Sequence, residues 1–107
     1  MSPSSDDLFR SLSDPTRRGL FEHLCLEGEQ TVVALTEHAG ISQPAVSKHL
    51  RVLKRAGLVS GRQAGRRTHY AAHAEALAPL VDWTRTMSAF WEARLDGLED
   101  TLKRMDQ

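Results

Sequence analysis

The stretch SQPAVSKHLRVLKRAGLV, residues 42–59, decides how this chain folds. Its apolar residues Val46, Leu50 and Leu53 recur at spacings of four and three, which predicts a helix with one buried face. The charged residues on its other faces include no carboxylate; they are Lys48, Arg51, Lys54 and Arg55. The segment therefore predicts a helix that combines an apolar core face with a purely basic surface.

Turn signals place this helix in a helix-turn-helix unit. Pro44 is tolerated in its first turn, and Gly57 follows its last turn as a stop signal. A shorter helix at 32–39, ended by Gly40, precedes it. Two helices joined by so short a turn predict a helix-turn-helix over about residues 32–56.

Further elements are predicted on both sides of this unit. A short helix is expected at 8–12, and Asp14 as N-cap with Pro15 at the first helical position begins a second one. After the helix-turn-helix, two strand-like segments with Gly65 at their turn predict a β-hairpin over about residues 58–72. The fold is therefore expected to be mainly α with a small β-hairpin.

The last predicted helix, about 77–104, carries apolar residues at spacings near three and four along its whole length. At 1.5 Å per residue it would be roughly 40 Å long, which exceeds what a domain of this size can cover. Part of its apolar stripe therefore needs another surface.

Composition and charge narrow the class of protein. A chain of 107 residues suits one domain with one core, here 1–107, and residues 1–5 are expected to fray. The formal net charge is zero, but residues 38–74 contain seven basic residues and no Asp or Glu. This segregation indicates a surface for an anionic partner, with chance clustering as the alternative.

The chain is expected to be cytoplasmic. It has no apolar run long enough to cross a bilayer, so no membrane association is expected, and its start lacks the features of a secretion signal. Its single cysteine, Cys25, cannot form an intrachain disulfide, which suits a reducing compartment.

The basic helix has the residue order that double-stranded DNA requires. A helix in the major groove places short or hydrogen-bonding side chains against base edges near its N-terminus and cations against phosphates. An ordinary amphipathic surface helix would explain the apolar spacing but not the missing acids. Arginines of the hairpin are long enough to reach the backbone or the minor groove. The predicted DNA-binding residues are Gln43, Pro44, Ser47, Lys48, His49, Arg51, Lys54, Arg62, Arg66 and Arg67.

The segments LSDPTRRGLFEHL, ISQPAVSKHLRVLKRAGLV and GRRTHY occur in an order and spacing that resemble the ArsR-type winged-helix repressors of bacteria. The resemblance covers residues 12–102 and implies a winged helix-turn-helix fold, with the helix at 43–56 in the major groove and the hairpin as the wing. It also implies a homodimer through the terminal helices. The implied interface residues are Leu8, Phe9, Leu12, Leu80, Trp83, Met87, Phe90, Trp91, Leu95, Leu98 and Leu102.

This sequence departs from the metal-sensing members of that family. They use a cysteine pair before the recognition helix or Asp and His ligands on the last helix, whereas residues 31–40 contain no Cys and no His follows His73. Cys25 is expected to be a small buried residue, and His69 with His73 a chance pair. We therefore predict no metal site and no cofactor, and a member of a subgroup that lacks the metal-binding cysteine motif.

These patterns predict a sequence-specific DNA-binding regulator, a repressor that binds an inverted-repeat operator as a homodimer and responds to an effector of unknown identity, if to any. The alternatives are a metal- or thiol-responsive sensor of the same fold and a winged-helix module for protein interaction. For Trp83, Phe90 and Trp91, a pocket for an organic ligand is the alternative to a dimer core. The sequence has no Ser/His/Asp set, phosphate-binding glycine loop or paired carboxylates in a plausible cleft, so an enzyme is not expected.

Overall fold

The computed structural model describes residues 4–106. Its α-helices are α1 (Ser5–Ser13), α2 (Pro15–Glu27), α3 (Val32–Ala39), α4 (Gln43–Arg55) and α5 (Ala78–Met105), and a short 3-10 helix, Ala74–Leu77, precedes α5. Its strands are β1 (Gln30–Thr31), β2 (Val59–Ala64) and β3 (Arg67–Ala72). The expectation of a mainly α fold with a small β-hairpin is confirmed.

Helix α1 begins earlier than predicted. The Ser4 hydroxyl accepts a hydrogen bond from the Asp7 backbone N–H, and the Asp7 carboxylate accepts one from the Ser4 backbone N–H, each at 3.2 Å. This reciprocal capping box fixes the helix start at Ser5. The predicted fraying is therefore wrong for Ser4 and Ser5, while residues 1–3 lie outside the described residues.

The predicted starts of the next helices are confirmed. The Asp14 carboxylate caps α2 by accepting from the Arg17 backbone N–H at 2.8 Å, and this hydrogen bond lowers the pKa of Asp14. Thr31 caps α3 through the Ala34 N–H, and Ser42 caps α4 in the same way. These caps supply acceptors to backbone donors that have no partner within the helix.

The chain forms two compact units, which divide between Leu77 and Ala78. In the first unit, the apolar face of α4 lies at the centre of the core, where Val46, Leu50 and Leu53 have no exposed surface. Other helices contribute leucines, and the connection to β2 adds further apolar side chains. The remaining core residues are Leu8, Leu20, Phe21, Leu24, Leu35, Ala56, Leu58 and Val59.

Cys25 is exposed, so the expectation that it is buried is wrong. Helix α2 buries Leu20, Phe21 and Leu24, and Cys25 lies about 100° further round the helix than Leu24, at the edge of that face. Partial desolvation, together with the nearby Glu22 charge, raises the pKa of the Cys25 thiol.

The hairpin is part of a three-stranded antiparallel sheet in the order β1, β3, β2. Strands β2 and β3 pair from Val59 with Ala72 to the turn at Gly65, which has φ of +65°. Strand β1, which was not predicted, adds two residue pairs to the other edge of β3. The hairpin is thereby fixed to the segment between α2 and α3.

The second unit contains α5, whose 28 residues confirm the predicted long helix. None of its residues is buried, and its apolar stripe is about half exposed. The exposed members include Phe90, Trp91, Leu95, Leu98, Leu102 and Met105. Arg94 lies over the Phe90 ring at 4.8 Å from its centroid. Within residues 4–106, no helix combines the length and apolar character needed to cross a membrane.

Candidate nucleic-acid interface

The solvent-facing side of α4 carries the polar and basic residues that the sequence singled out. Because Val46, Leu50 and Leu53 point into the core, the intervening positions face outwards. Gln43 and Pro44 are exposed in the first turn, and Ser47 is half-buried beside them. Further along the helix, the exposed cations are Lys48, Arg51, Lys54 and Arg55. The helix therefore presents hydrogen-bonding groups first and cations after them.

The wing lies beside the start of α4. A cavity of about 250 Å³ separates them and brings Gln43 and Ser47 of α4 to the same site as Arg66 and Arg67 of the hairpin. The sequence had not identified the other residues of its wall. These are Thr31, Val32 and Val33 at the start of α3, and Thr68 and Tyr70 of β3. We call this space the helix-wing cavity.

The five other residues of the cavity wall were missed because none of them is basic and they come from two separate segments, 31–33 and 68–70. Thr68 and Tyr70 could have been identified from the strand pattern after Arg66 and Arg67. They are two residues apart, and side chains at that spacing lie on the same face of a strand. The contribution of Thr31 depends on the pairing of β1 with β3, which no local pattern indicates.

Arg62, predicted as a DNA contact, is paired with a carboxylate of its own chain. Its guanidinium Nη2 donates to Glu29 Oε1, and His69 Nδ1 lies 3.4 Å from the same oxygen. Arg62 and His69 are directly opposite each other in the β2–β3 register. The hydrogen bond from Arg62 is the main reason why the pKa of Glu29 is lowered. The basic charge of Arg62 is thus largely balanced before any partner arrives.

His49, predicted as a DNA contact, is half-buried on α4 and lies against a residue of α2. Arg17 Nη1 lies 3.4 Å from His49 Nδ1, and the same guanidinium donates to the backbone oxygens of Ser11 at 2.6 Å and Arg10 at 3.2 Å. Because a guanidinium only donates, this contact makes Nδ1 the acceptor of the imidazole. Arg17 therefore connects the end of α1 with the basic helix, a role the sequence had not suggested.

The histidines make local contacts. His73 lies against Ser60 and Glu75, and His69 faces Glu29. The rings of His23 and His38 stack at 3.7 Å between α2 and α3. In the part of the chain that the structure describes, no group of three or more His, Cys, Asp or Glu side chains is arranged to hold a metal ion.

The residues predicted for a dimer interface have unequal exposure. Leu8 is only 2% exposed within one chain, so it has almost no surface left for a second chain. Phe9 is 42% exposed, and Leu12 is half-buried. On α5, Leu80 and Met87 are half-buried and the remaining predicted residues are exposed; these are Trp83, Phe90, Trp91, Leu95, Leu98 and Leu102.

Comparison with known proteins identifies similar chains. A family described as a helix-turn-helix domain matches residues 12–62. A probable mercury resistance operon repressor of Streptomyces lividans is 44% identical over 88 residues, which cover 82% of this chain and 70% of that protein. A transcriptional repressor of Bacillus subtilis is 33% identical over 73% of this chain and 86% of its own length. The solved structure of an ArsR-like transcriptional regulator from Rhodococcus has a TM-score of 0.72 at 28% identity, with 89% of each chain covered.

Proposed function

The chain belongs to the ArsR family of winged helix-turn-helix transcriptional regulators, which bind double-stranded DNA, and from this premise we propose that it is a repressor that binds an inverted-repeat operator as a homodimer. The observation that carries the proposal is the acid-free exposed face of α4 beside the two arginines of the wing. A carboxylate on this surface would face phosphates, so its absence is what DNA binding requires.

Two further observations support the finer parts of the proposal. The relatives from Streptomyces lividans and Bacillus subtilis are both named repressors, which favours repression over activation. Helix α5 leaves side chains such as Leu95, Leu98 and Leu102 about half exposed, and an apolar stripe of this length favours a partner surface. A two-fold dimer would then require an operator with two-fold symmetry.

The proposal is tested by selecting bound DNA from a random pool. We expect the selected sequences to share an inverted repeat, and fluorescence anisotropy on the selected duplex should show much tighter binding than on a scrambled duplex of equal length. If the protein prefers no sequence, or binds no DNA at low salt, the proposal fails and an interaction module for proteins becomes the better hypothesis.

We expect operator binding to be independent of metal ions. A ligand shifts an equilibrium only if it binds the two states differently, and the described residues offer no cluster of metal ligands. Anisotropy with chelator, zinc, nickel or cobalt should give the same affinity within about twofold. A tenfold release by any of these metals, abolished by Cys25→Ser or His73→Ala, would contradict this prediction.

A thiol-responsive sensor is the other candidate. Cys25 is exposed, which such a sensor requires, but its pKa is raised, so less of the reactive thiolate is present at neutral pH. Cys25 is also the only cysteine of the chain, so no second thiol can form an intrachain disulfide with it. These observations favour a repressor that does not use this thiol as its switch.

The pairing of Arg62 with Glu29 predicts that Arg62 contributes little to DNA affinity. The pKa of Glu29 lies below the ordinary 4.5, so the carboxylate is ionised at neutral pH and loses Arg62 only as pH falls through that lowered value. Arg62→Ala should therefore change the slope of log affinity against log salt concentration by less than about half a unit per subunit. The matched control Arg67→Ala should change this slope by about one unit per subunit. Equal changes in the two variants would show that DNA displaces Glu29.

A further inference from the structure

We propose that the helix-wing cavity holds one backbone phosphate of the bound DNA strand, together with its sugar, and that this phosphate fixes the register of α4 on the operator. The proposal rests on the proposed function, since it assigns a specific part of the DNA to a specific site. It is supported by the charge, the donors and the size of the cavity, and by the helices and strands that form its wall.

The charge of the cavity suits a phosphodiester. Arg66 and Arg67 are in its wall, and its lining residues include no carboxylate. Two other cavities lack this combination. One, beside Gly19 and His38, is lined by no Lys or Arg, and the other contains Asp7 next to its arginines. Charge-assisted hydrogen bonds from guanidinium to phosphate are among the strongest in proteins, so of these three cavities the helix-wing cavity is the one suited to an anion.

Hydroxyl groups supplement the two guanidinium groups. Ser47 of α4, Thr68 of β3 and Thr31 before α3 are in the wall, and the Gln43 amide supplies a further donor. The Thr31 oxygen already accepts a hydrogen bond from the Ala34 N–H at 3.1 Å, which leaves its hydroxyl hydrogen for another acceptor. An ionised phosphodiester offers acceptors only, so a wall of donors matches it.

The size and apolar part of the cavity favour a nucleotide unit over a free effector. Its volume of about 250 Å³ is below the roughly 300–1,000 Å³ typical of pockets that enclose drug-sized ligands. Val33 is 53% exposed, and together with the Tyr70 ring it gives an apolar wall against which a sugar can pack. One wall of donors and one apolar wall suit a phosphate attached to a deoxyribose.

The backbone of the cavity wall belongs mainly to helices and strands, which position its side chains before DNA binds. Strand β3, which carries Thr68 and Tyr70, is the central strand of the sheet. Tyr70 packs directly over Gly61, where an added Cβ would lie 3.0 Å from the ring. Because Gln43 and Ser47 are in both the cavity wall and the groove-facing side of α4, a phosphate held here would set which base pairs they meet.

The test replaces the phosphates of the selected operator one at a time by uncharged methylphosphonate and measures affinity by anisotropy. We expect one position in each half-site at which the wild-type protein loses about tenfold in affinity, the cost of a charge-assisted contact. At that position Arg67→Ala should lose less than about twofold, and Thr68→Val should show an intermediate loss. The matched control, Arg55→Ala, removes an exposed cation outside the cavity and should keep the full tenfold loss.

A scan in which no position depends on Arg67 or Thr68, while wild-type protein still binds its operator, overturns the phosphate site and leaves the proposed function intact. A protein that binds no duplex at all overturns both. Gly61→Ala supplies an independent readout, because it displaces the Tyr70 ring without removing a donor. We expect it to weaken operator binding and to reduce the loss at the same methylphosphonate position.

Discussion

Replacing Leu98 and Leu102 by glutamate should convert the protein to a monomer and abolish operator binding at concentrations that saturate the wild-type protein. Both leucines are about half exposed on α5, at 53% and 52%, so their apolar surface is available to a second chain. Burying an unpaired carboxylate in a dimer interface costs several kcal/mol or more. This corresponds to a loss of at least about 100-fold in dimer affinity. Sedimentation velocity measures the change directly.

Loss of DNA binding should follow from the loss of the dimer. Two linked recognition helices bind with an effective concentration that a single one lacks, so a monomer retains only the weak affinity of one half-site. The matched control is Asp96→Lys with Asp100→Lys, which changes charge on a side of α5 away from the leucine stripe and should leave the dimer intact. Far-ultraviolet circular dichroism should confirm that both variants keep their helices. A dimer that persists in the leucine variant would contradict the interface.

The helical part of the fold could be predicted because its signals are local. The spacing of Val46, Leu50 and Leu53 fixed the phase of α4, and all three proved fully buried. Asp14 followed by Pro15 marked the start of α2 to the residue, because an N-cap and the first helical position have distinct chemical requirements. Such signals can be recognised from residues that are neighbours in the sequence.

What could not be predicted depends on residues far apart in the chain. Strand β1 has two residues and exists only through its pairing with β3. The pairing of Glu29 with Arg62 joins residues 33 positions apart, and Glu29 lies outside the acid-free segment 38–74 that suggested a basic surface. Counting charges along the sequence therefore overstated the free charge of the wing. The exposure of Cys25 was missed for a different reason. Cys25 lies at the edge of the buried face of α2, where a difference of one residue in position separates a buried side chain from an exposed one.

We expect α4 to provide the preference for one DNA sequence and the wing to provide affinity that does not depend on sequence. Substitutions in each element test this difference. Gln43 is exposed and Ser47 half-buried at the start of α4, with Lys48 exposed beside them, where base edges would meet them. Lys48→Ala or Gln43→Ala should cost about 1–3 kcal/mol per half-site on the operator and relax its sequence preference. Because a dimer carries each change twice, the total loss should reach about 2–6 kcal/mol if the half-sites act independently.

The wing variant Arg66→Ala with Arg67→Ala should weaken operator and scrambled DNA alike. The reason is that phosphates carry no direct sequence information. Each lost phosphate contact lowers the slope of log affinity against log salt concentration by about 0.9. The slope should therefore fall by roughly 1 to 2 units per subunit. Anisotropy on both duplexes across a salt series separates the two behaviours. If the wing variant lost sequence preference while Lys48→Ala kept it, the roles assigned to helix and wing would be reversed.

Footprinting measures the distance between the two half-sites, which binding free energies do not report. A two-fold dimer that places its two α4 helices in successive major grooves must protect two half-sites about 34 Å, or 10 to 11 base pairs, apart. A Lys48→Ala dimer should keep this spacing on whatever DNA it still binds, because spacing depends on the dimer and not on base contacts. The leucine-to-glutamate variant of α5 should protect neither half-site at concentrations at which the wild-type protein protects both, because a monomer has only the weak affinity of one half-site. Protection of both half-sites by that variant at the wild-type concentration would mean that the DNA, rather than α5, brings the two subunits together.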